Sequence, residues 1–214
     1  MALLLAGLAS VPLAESRVYP SLFGSQEFAG PDLGRFPKWM SMLSRWRESA
    51  PCEAADCTMA GWHDLIDSLR GADLATQLRS VNDHFNATRY IRDARNWGKE
   101  DYWETPFEFL KRRGDCEDYA IAKFMALKAL GVPASEMRIL ALRNLALGGE
   151  GHAVLIVYAG GTPLMLDNQI KDVVPANSVG YYQPVYSLNE TGWWRHETPR
   201  KATVKPSSVL PASL

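Results

Sequence analysis

The 214-residue sequence has almost no net charge, only three cysteines and four histidines, and no apolar run of membrane-spanning length. Each scarcity closes off a class of function. With 23 basic residues against 24 acidic ones, and no basic run longer than Lys111-Arg112-Arg113, there is no electrostatic footprint for nucleic acid and no polybasic patch for a membrane surface. The longest apolar run, Ala2 to Ala14, covers about 13 residues, whereas a spanning helix takes about 20. No membrane insertion of the mature protein is expected. At 47% apolar and 22% charged, the composition is that of an ordinary soluble globular domain, which excludes disorder of the whole chain.

The segment MALLLAGLASVPLAES has the length of a signal-peptide core, although no basic residue precedes it. Residues 1–14 are read as an export leader, with Ala9 or Ala14 before the cut. Cys52 and Cys57 lie five apart, and two readings of them stand side by side. A disulfide requires a loop, because five residues of helix would separate the Cα atoms by more than about 7 Å; Pro51 suits a loop. A metal half-site would use Cys52, Cys57 and His63, but no fourth ligand follows at finger-like spacing. Either way Cys116 is left as a free thiol that needs an explanation. From Thr198 the chain is rich in proline and serine without periodicity, so 198–214 is expected to be a disordered tail and 15–197 a single domain.

Within that domain the first half reads as helical. After an irregular start, Trp39, Leu43 and Trp46 recur at helical spacing over Pro37 to Glu48. Over 62–98, Leu65, Leu69, Leu74, Leu78, Val81 and Phe85 form the stripe of amphipathic helices, which is core packing. The aromatic stretch NWGKEDYWETPFEFL then reads as a structured connection into a short helix, with Trp97, Tyr102 and Trp103 packing beneath the elements after it. In RRGDCEDYAIAKFMALKALGVP, Asp115 with Asp118 gives a helix start and Gly131 with Pro133 a stop. Between them lies a helix of about four turns, with Cys116 in its first turn and Ala120, Phe124 and Leu127 facing inward.

Downstream the period shortens to that of strands: Met137 to Leu142, His152 to Tyr158 and Pro163 to Leu166. Ala159-Gly160-Gly161-Thr162 signals a hairpin between the last two. With Gly160-Gly161 as a two-residue loop, 159 faces 162 and 154 faces 167. His152 shares the face of Val154, so Asp167 projects on the same side as His152, one diagonal step away. A three-residue loop would destroy the pair.

A helix-start cysteine, a strand histidine and an aspartate beside it are the parts of a nucleophilic site. Cys116 would attack a carbonyl carbon, His152 would take and return the proton, and Asp167 would hold the productive tautomer. Main-chain N–H groups at the helix start, that of Cys116 included, would form the oxyanion hole. The helix dipole favours the thiolate, whereas Asp115, Glu117 and Asp118 oppose it unless a cation offsets them. His63, His84 and His196 are assigned surface or packing roles. Gly192-Trp193-Trp194 is assigned to packing on the sheet.

On these residues a resemblance becomes visible. RGDCEDYAIAKFMALKALGVP, GHAVLIVY, PLMLDN and PVYSLNETGWW, within residues 80–195, resemble the bacterial transglutaminase-like cysteine proteinases of LapG type. The resemblance implies an α+β, papain-like and transglutaminase-like domain, with a helical N-terminal half and an antiparallel β-sheet. It implies Cys116 as nucleophile, His152 as base and Asp167 as orienting acid, with Asp115 and Glu117 binding Ca²⁺. It further implies a periplasmic location, a large cell-surface adhesin cut near its N-terminus at a di-alanine-containing site, and inhibition by an inner-membrane cyclic di-GMP receptor. Two rivals remain: a transglutaminase, in which a lysine amine replaces water, and a non-catalytic binding module of the same fold.

Overall fold

The computed structural model describes residues 19–49 and 59–198. The expected leader, the segment holding Cys52 and Cys57, and the tail from Pro199 lie outside the described residues. Among the described residues six α-helices and seven strands succeed one another as β1 (Gln26–Gly30), α1 (Pro37–Glu48), α2 (Met59–Leu69), α3 (Leu74–Asn86), α4 (Asp93–Asn96), α5 (Pro106–Arg112), α6 (Cys116–Ala129), β2 (Met137–Asn144), β3 (Glu150–Ala159), β4 (Thr162–Leu166), β5 (Val174–Pro175), β6 (Tyr182–Leu188) and β7 (Trp193–Glu197). All strands join one antiparallel sheet of order β1-β7-β6-β2-β3-β4-β5. The fold class is α+β, as the sequence implies. None of the described helices is long and apolar enough to cross a membrane.

The first strand corrects the reading of residues 15–60 as an irregular start followed by one helix. Gln26–Gly30 pairs with β7 at the far edge of the sheet, joining the beginning of the domain to its end. Helix α1 occupies the expected Pro37–Glu48, with Trp39 and Leu43 buried and Trp46 half-buried.

Helix α6 is set by its ends. The Asp118 carboxylate accepts the Asp115 N–H at 3.0 Å, and the Asp118 N–H reaches the Asp115 carbonyl at 3.1 Å. Gly114 is required just before: a Cβ there would lie 2.2 Å from Asp118 Oδ2. At the other end the N–H groups of Gly131 and Val132 return to the carbonyls of Lys128 and Leu127, closing a Schellman motif. Between the ends, residues 118 to 127 are buried without exception, so the helix has no polar face and runs through the middle of the protein.

One sheet face meets α6: Met137, Ile139, Leu155, Val157, Leu166 and Leu188 pack with Ile121, Phe124 and Leu127, and α3 and α5 cover the far side of that helix. Leu140, Leu142, Val154, Ile156 and Tyr158 point to the opposite face, closed by Leu22, Ala176, Val179 and Tyr182. The hairpin turns on Gly160 and Gly161 with φ of 56° and 87°, a conformation L side chains resist, and pairs Ala159 with Thr162 as the parity argument requires.

Candidate active site

Cys116 is the first residue of α6, His152 lies near the start of β3, and Asp167 comes directly after β4. The hairpin register brings the last two together on one face. Asp167 Oδ1 accepts from His152 Nε2 at 2.8 Å, with both side chains buried. A carboxylate only accepts, so this bond puts the imidazole proton on Nε2 and leaves Nδ1 bare. The Gln169 amide donates to Nδ1 at 3.4 Å and is itself held by Asn144 Nδ2 at 3.3 Å.

Asp167 is held from three sides. Besides His152, the Gln169 N–H reaches Oδ1 at 2.8 Å and the Tyr182 hydroxyl reaches Oδ2 at 2.7 Å. Burial alone would raise its pKa, but the bond to His152 and its charge, with the other two donors, hold it below the ordinary carboxylate value. The acid therefore stays ionised.

Cys116 shares a cleft of about 940 Å³ with His152, Gln169, Glu117, Trp103 and Tyr186. Among the described residues its thiol is bonded to Glu117 Oε2, at 3.2 Å, and not to His152. The main-chain N–H of Ala153 acts in favour of the thiolate, as the smallest of the influences on the sulfur. Burial first, then the carboxylates of Glu117 and Asp115, push the thiol pKa well above its usual value. The open balance between helix dipole and neighbouring carboxylates thus falls to the protonated thiol.

The carboxylates extend well beyond the two that the sequence suggested. Asp93 from α4, Asp101 and Glu117 bring ligand atoms within 4.8 Å of one another, as do Asp115, Cys116 and Glu117, and Asp93, Glu104 and Asp118. Buried oxygens of Asp93, Glu104 and Asp115 have no hydrogen-bond partner. Burial raises Asp93 to about 6 and Glu104 to about 8, and burial with the Asp115 charge raises Glu117. So many acids in one place, with orphaned oxygens, is the environment a hard cation would relieve.

Sequence reasoning did not identify Asp93, Asp101, Glu104, Gln169, Tyr182 or Asn144 as site residues. For Gln169 the signal lay in Asp-Asn-Gln after a strand, an Asx-type turn; for Tyr182 no local signal exists. Of the other histidines, His63 is exposed, His84 lies edge-on to Phe85, and His196 is buried between Ser25 and Ser187. Trp193 packs on Phe36, and Arg138 stacks on Trp194 at 3.6 Å, so the tryptophan pair is engaged in packing.

The profile of the bacterial transglutaminase-like cysteine proteinases (BTLCP) matches residues 46–200, spanning Cys116, His152 and Asp167. The chain belongs to this family. Calcium-bound Legionella pneumophila LapG is 32% identical, with 78% of this chain and 93% of that one covered and a TM-score of 0.61. A second Legionella pneumophila LapG structure is 34% identical over 73% of this chain and 86% of that one, with a TM-score of 0.59. An EGTA-treated form of the same protein gives 34%, 73%, 84% and 0.59. No curated sequence matches. This proteinase is accordingly a cysteine peptidase with a transglutaminase-like fold.

Proposed function

We propose that this proteinase is a periplasmic, Ca²⁺-dependent endopeptidase that cleaves the N-terminal region of a large cell-surface adhesin and thereby controls biofilm attachment. Cys116 is its nucleophile, His152 its base and Asp167 the acid that fixes the imidazole. The observation that carries the catalytic reading is the buried 2.8 Å bond from His152 Nε2 to Asp167, in a cleft shared with Cys116.

In this reading Nδ1 of His152 takes the thiol proton as sulfur attacks the scissile carbonyl. Main-chain N–H groups at the start of α6 face the developing oxyanion. Collapse of the intermediate passes the proton to the leaving amine and leaves an acyl-thioester, which water hydrolyses with His152 again as base. Asp167, kept ionised by three donors, stabilises the imidazolium in both halves of the cycle.

Asp115 and Glu117, with Asp93 and Asp101, are the residues that would hold Ca²⁺. Their oxygen donors, raised pKa values and unpartnered atoms fit such an ion. When bound, the cation neutralises the carboxylates that oppose ionisation of the thiol. The calcium-bound state of the similar LapG structure supports this assignment. The adhesin substrate, the periplasm and inhibition by an inner-membrane cyclic di-GMP receptor rest on the family resemblance.

The test is cleavage of a purified adhesin N-terminal fragment by wild type and Cys116→Ala, with Ca²⁺ or with EGTA. Cutting only by wild type with Ca²⁺, releasing a new N-terminus, is expected. Equal cutting in EGTA overturns the metal role, and cross-linking without a new N-terminus makes the enzyme a transferase.

A further inference from the structure

Four hydrogen bonds run in series from a main-chain amide to the Asp167 carboxylate, and their directions are fixed from both ends. The Ala146 N–H can only donate, so Asn144 accepts it through Oδ1, at 3.1 Å, and is left to donate Nδ2–H to Gln169 Oε1 at 3.3 Å. At the other end Asp167 accepts from His152 Nε2 and leaves Nδ1 bare. Gln169 therefore turns its NH2 group, not its carbonyl, to the base, with Nε2 3.4 Å from Nδ1. Its main-chain N–H, 2.8 Å from Asp167 Oδ1, holds the residue in place.

Only one of the two amide hydrogens is committed there. Nε2 makes no other hydrogen bond among the described residues, and Gln169 is exposed on the wall of the cleft that Cys116 also lines. At 3.4 Å the contact with Nδ1 lies beyond the usual range of N–H bonds, so it yields readily to a better acceptor.

In the second half of the cycle the nucleophile must stand about 2.6–3.2 Å from Nδ1 to pass it a proton, which brings it beside the Gln169 amide. Two nucleophiles compete there, and they differ in lone pairs. Water has two: one attacks the thioester carbon, and the other is free to accept an N–H. A neutral lysine amine has one, and the attack consumes it. The amine therefore meets the Gln169 N–H with no acceptor to offer, and leaves that donor unpaired in the closed site.

We propose that Gln169 is a catalytic residue of deacylation: Nε2–H donates to the oxygen of the water that opens the acyl-thioester, and this donor makes the site a hydrolase and not an amine transferase. The role deepens, and rests on, the reading of Cys116 as a peptidase nucleophile. In the step, the water oxygen bonds to the acyl carbon as one water proton passes to Nδ1. The C–S bond then breaks and His152 returns that proton to sulfur, giving a carboxylic acid and the free thiol. Asn144 is a positioning residue, because it prevents the amide flip that would present Oε1, an acceptor that an amine could use.

The test is the partition of a preformed acyl-enzyme between water and an amine. 4-Nitrophenyl acetate acetylates Cys116 with loss of 4-nitrophenolate, excess reagent is removed, and glycinamide is added as the competing amine. Acetate and N-acetylglycinamide are then counted, less the amounts given by Cys116→Ala. Their ratio does not depend on how much of the enzyme is active. Gln169→Leu keeps the volume and removes the donor, so the ratio should move toward the amide about fivefold, the worth of one neutral hydrogen bond. A ratio unchanged in Gln169→Leu overturns the proposal, and the peptidase reading survives if wild type still cuts the adhesin fragment. A shifted ratio beside an uncut fragment sinks the adhesin substrate and leaves the role of Gln169 standing. No more acetyl on wild type than on Cys116→Ala overturns both.

Discussion

Tyr182 donates its hydroxyl to Asp167 Oδ2 at 2.7 Å, on the carboxylate oxygen that His152 leaves unused. Burial and the Asp167 carboxylate push the ionisation of this phenol far up, so it remains a donor at every working pH. Tyr182→Phe removes one of three bonds that keep Asp167 ionised. Its pKa then rises toward the ordinary value, and the acid limb of the kcat profile moves to higher pH. A hydrogen bond to a charged group is worth about 1.5–3 kcal/mol, so kcat should fall about tenfold or more with little change in KM. An unchanged pH profile would show that the tyrosine only packs.

Glu117 Oε2 is the partner of the Cys116 thiol, so a cation bound by this carboxylate competes with the sulfur for its electron density. Adding Ca²⁺ at about 100 times its Kd should stabilise by about 2.7 kcal/mol, a rise in Tm of about 5–10 °C for a domain of this size. Iodoacetamide labelling of Cys116 should accelerate several-fold at the same time. Glu117→Gln should lose both responses. If labelling proceeds equally in Ca²⁺ and EGTA, the carboxylate does not exchange between the two partners.

His196 ties the two ends of the domain together, with Ser25 Oγ 2.9 Å from Nδ1 and Ser187 Oγ 2.9 Å from Nε2. Burial lowers its pKa from 6.5 to about 4. Below pH 6.5 the unfolded chain takes up a proton that the folded one refuses, so the contribution falls as pH drops from about 6.5 to 4. The loss is on the order of 3 kcal/mol. Urea unfolding of wild type and His196→Gln at pH 7.5 and pH 5 measures about 2 kcal/mol of it as a difference, in which slopes common to both proteins cancel. Parallel shifts in the two proteins would refute the assignment.

The features legible in the sequence are those encoded locally. The Asp115 and Asp118 start, the Gly131 stop and the Gly160-Gly161 turn each lie within a few residues, and the turn carried the His152 and Asp167 pairing with it by parity. Strand β1 was missed because QEFAG is an edge strand with no buried residue to set a period. Strand β6 contains Pro184, which ordinarily argues against a strand; here it sits where the register shifts between Ala141 and Leu142, a bulge that tolerates it. The wider carboxylate cluster was illegible for another reason. Asp93, Asp101, Glu104 and Asp115 converge through the turns around α4 and α5, and no spacing rule links them.

Lys123 is fully buried in α6, two turns beyond Cys116, and donates to Asn82 Oδ1 at 2.9 Å. Asn82 in turn donates to the Lys171 carbonyl, and Asn86 to the Asp167 carbonyl, each at 2.8 Å, so α3 grips the loop that carries the catalytic aspartate. Burial lowers the lysine pKa from 10.5 to about 7, against the opposing pull of Asp167 and Asp83. Between pH 7 and 10.5 the unfolded chain holds the proton that the folded one has lost, so this residue's contribution to stability rises as pH rises through that window. Lys123→Met removes the buried amine and orphans the Asn82 oxygen, which costs about 1–3 kcal/mol. Replacing a buried charge by an apolar chain of similar volume is worth as much or more. The variant should therefore be as stable as wild type at pH 7 or more so, without this component of the rise toward pH 10, yet turn over more slowly as the grip on the Asp167 loop loosens. Thermal melts at pH 7 and pH 9.5 beside kcat at pH 7 separate the two effects. A variant that is less stable and fully active would mean that Lys123 serves the fold and not the site.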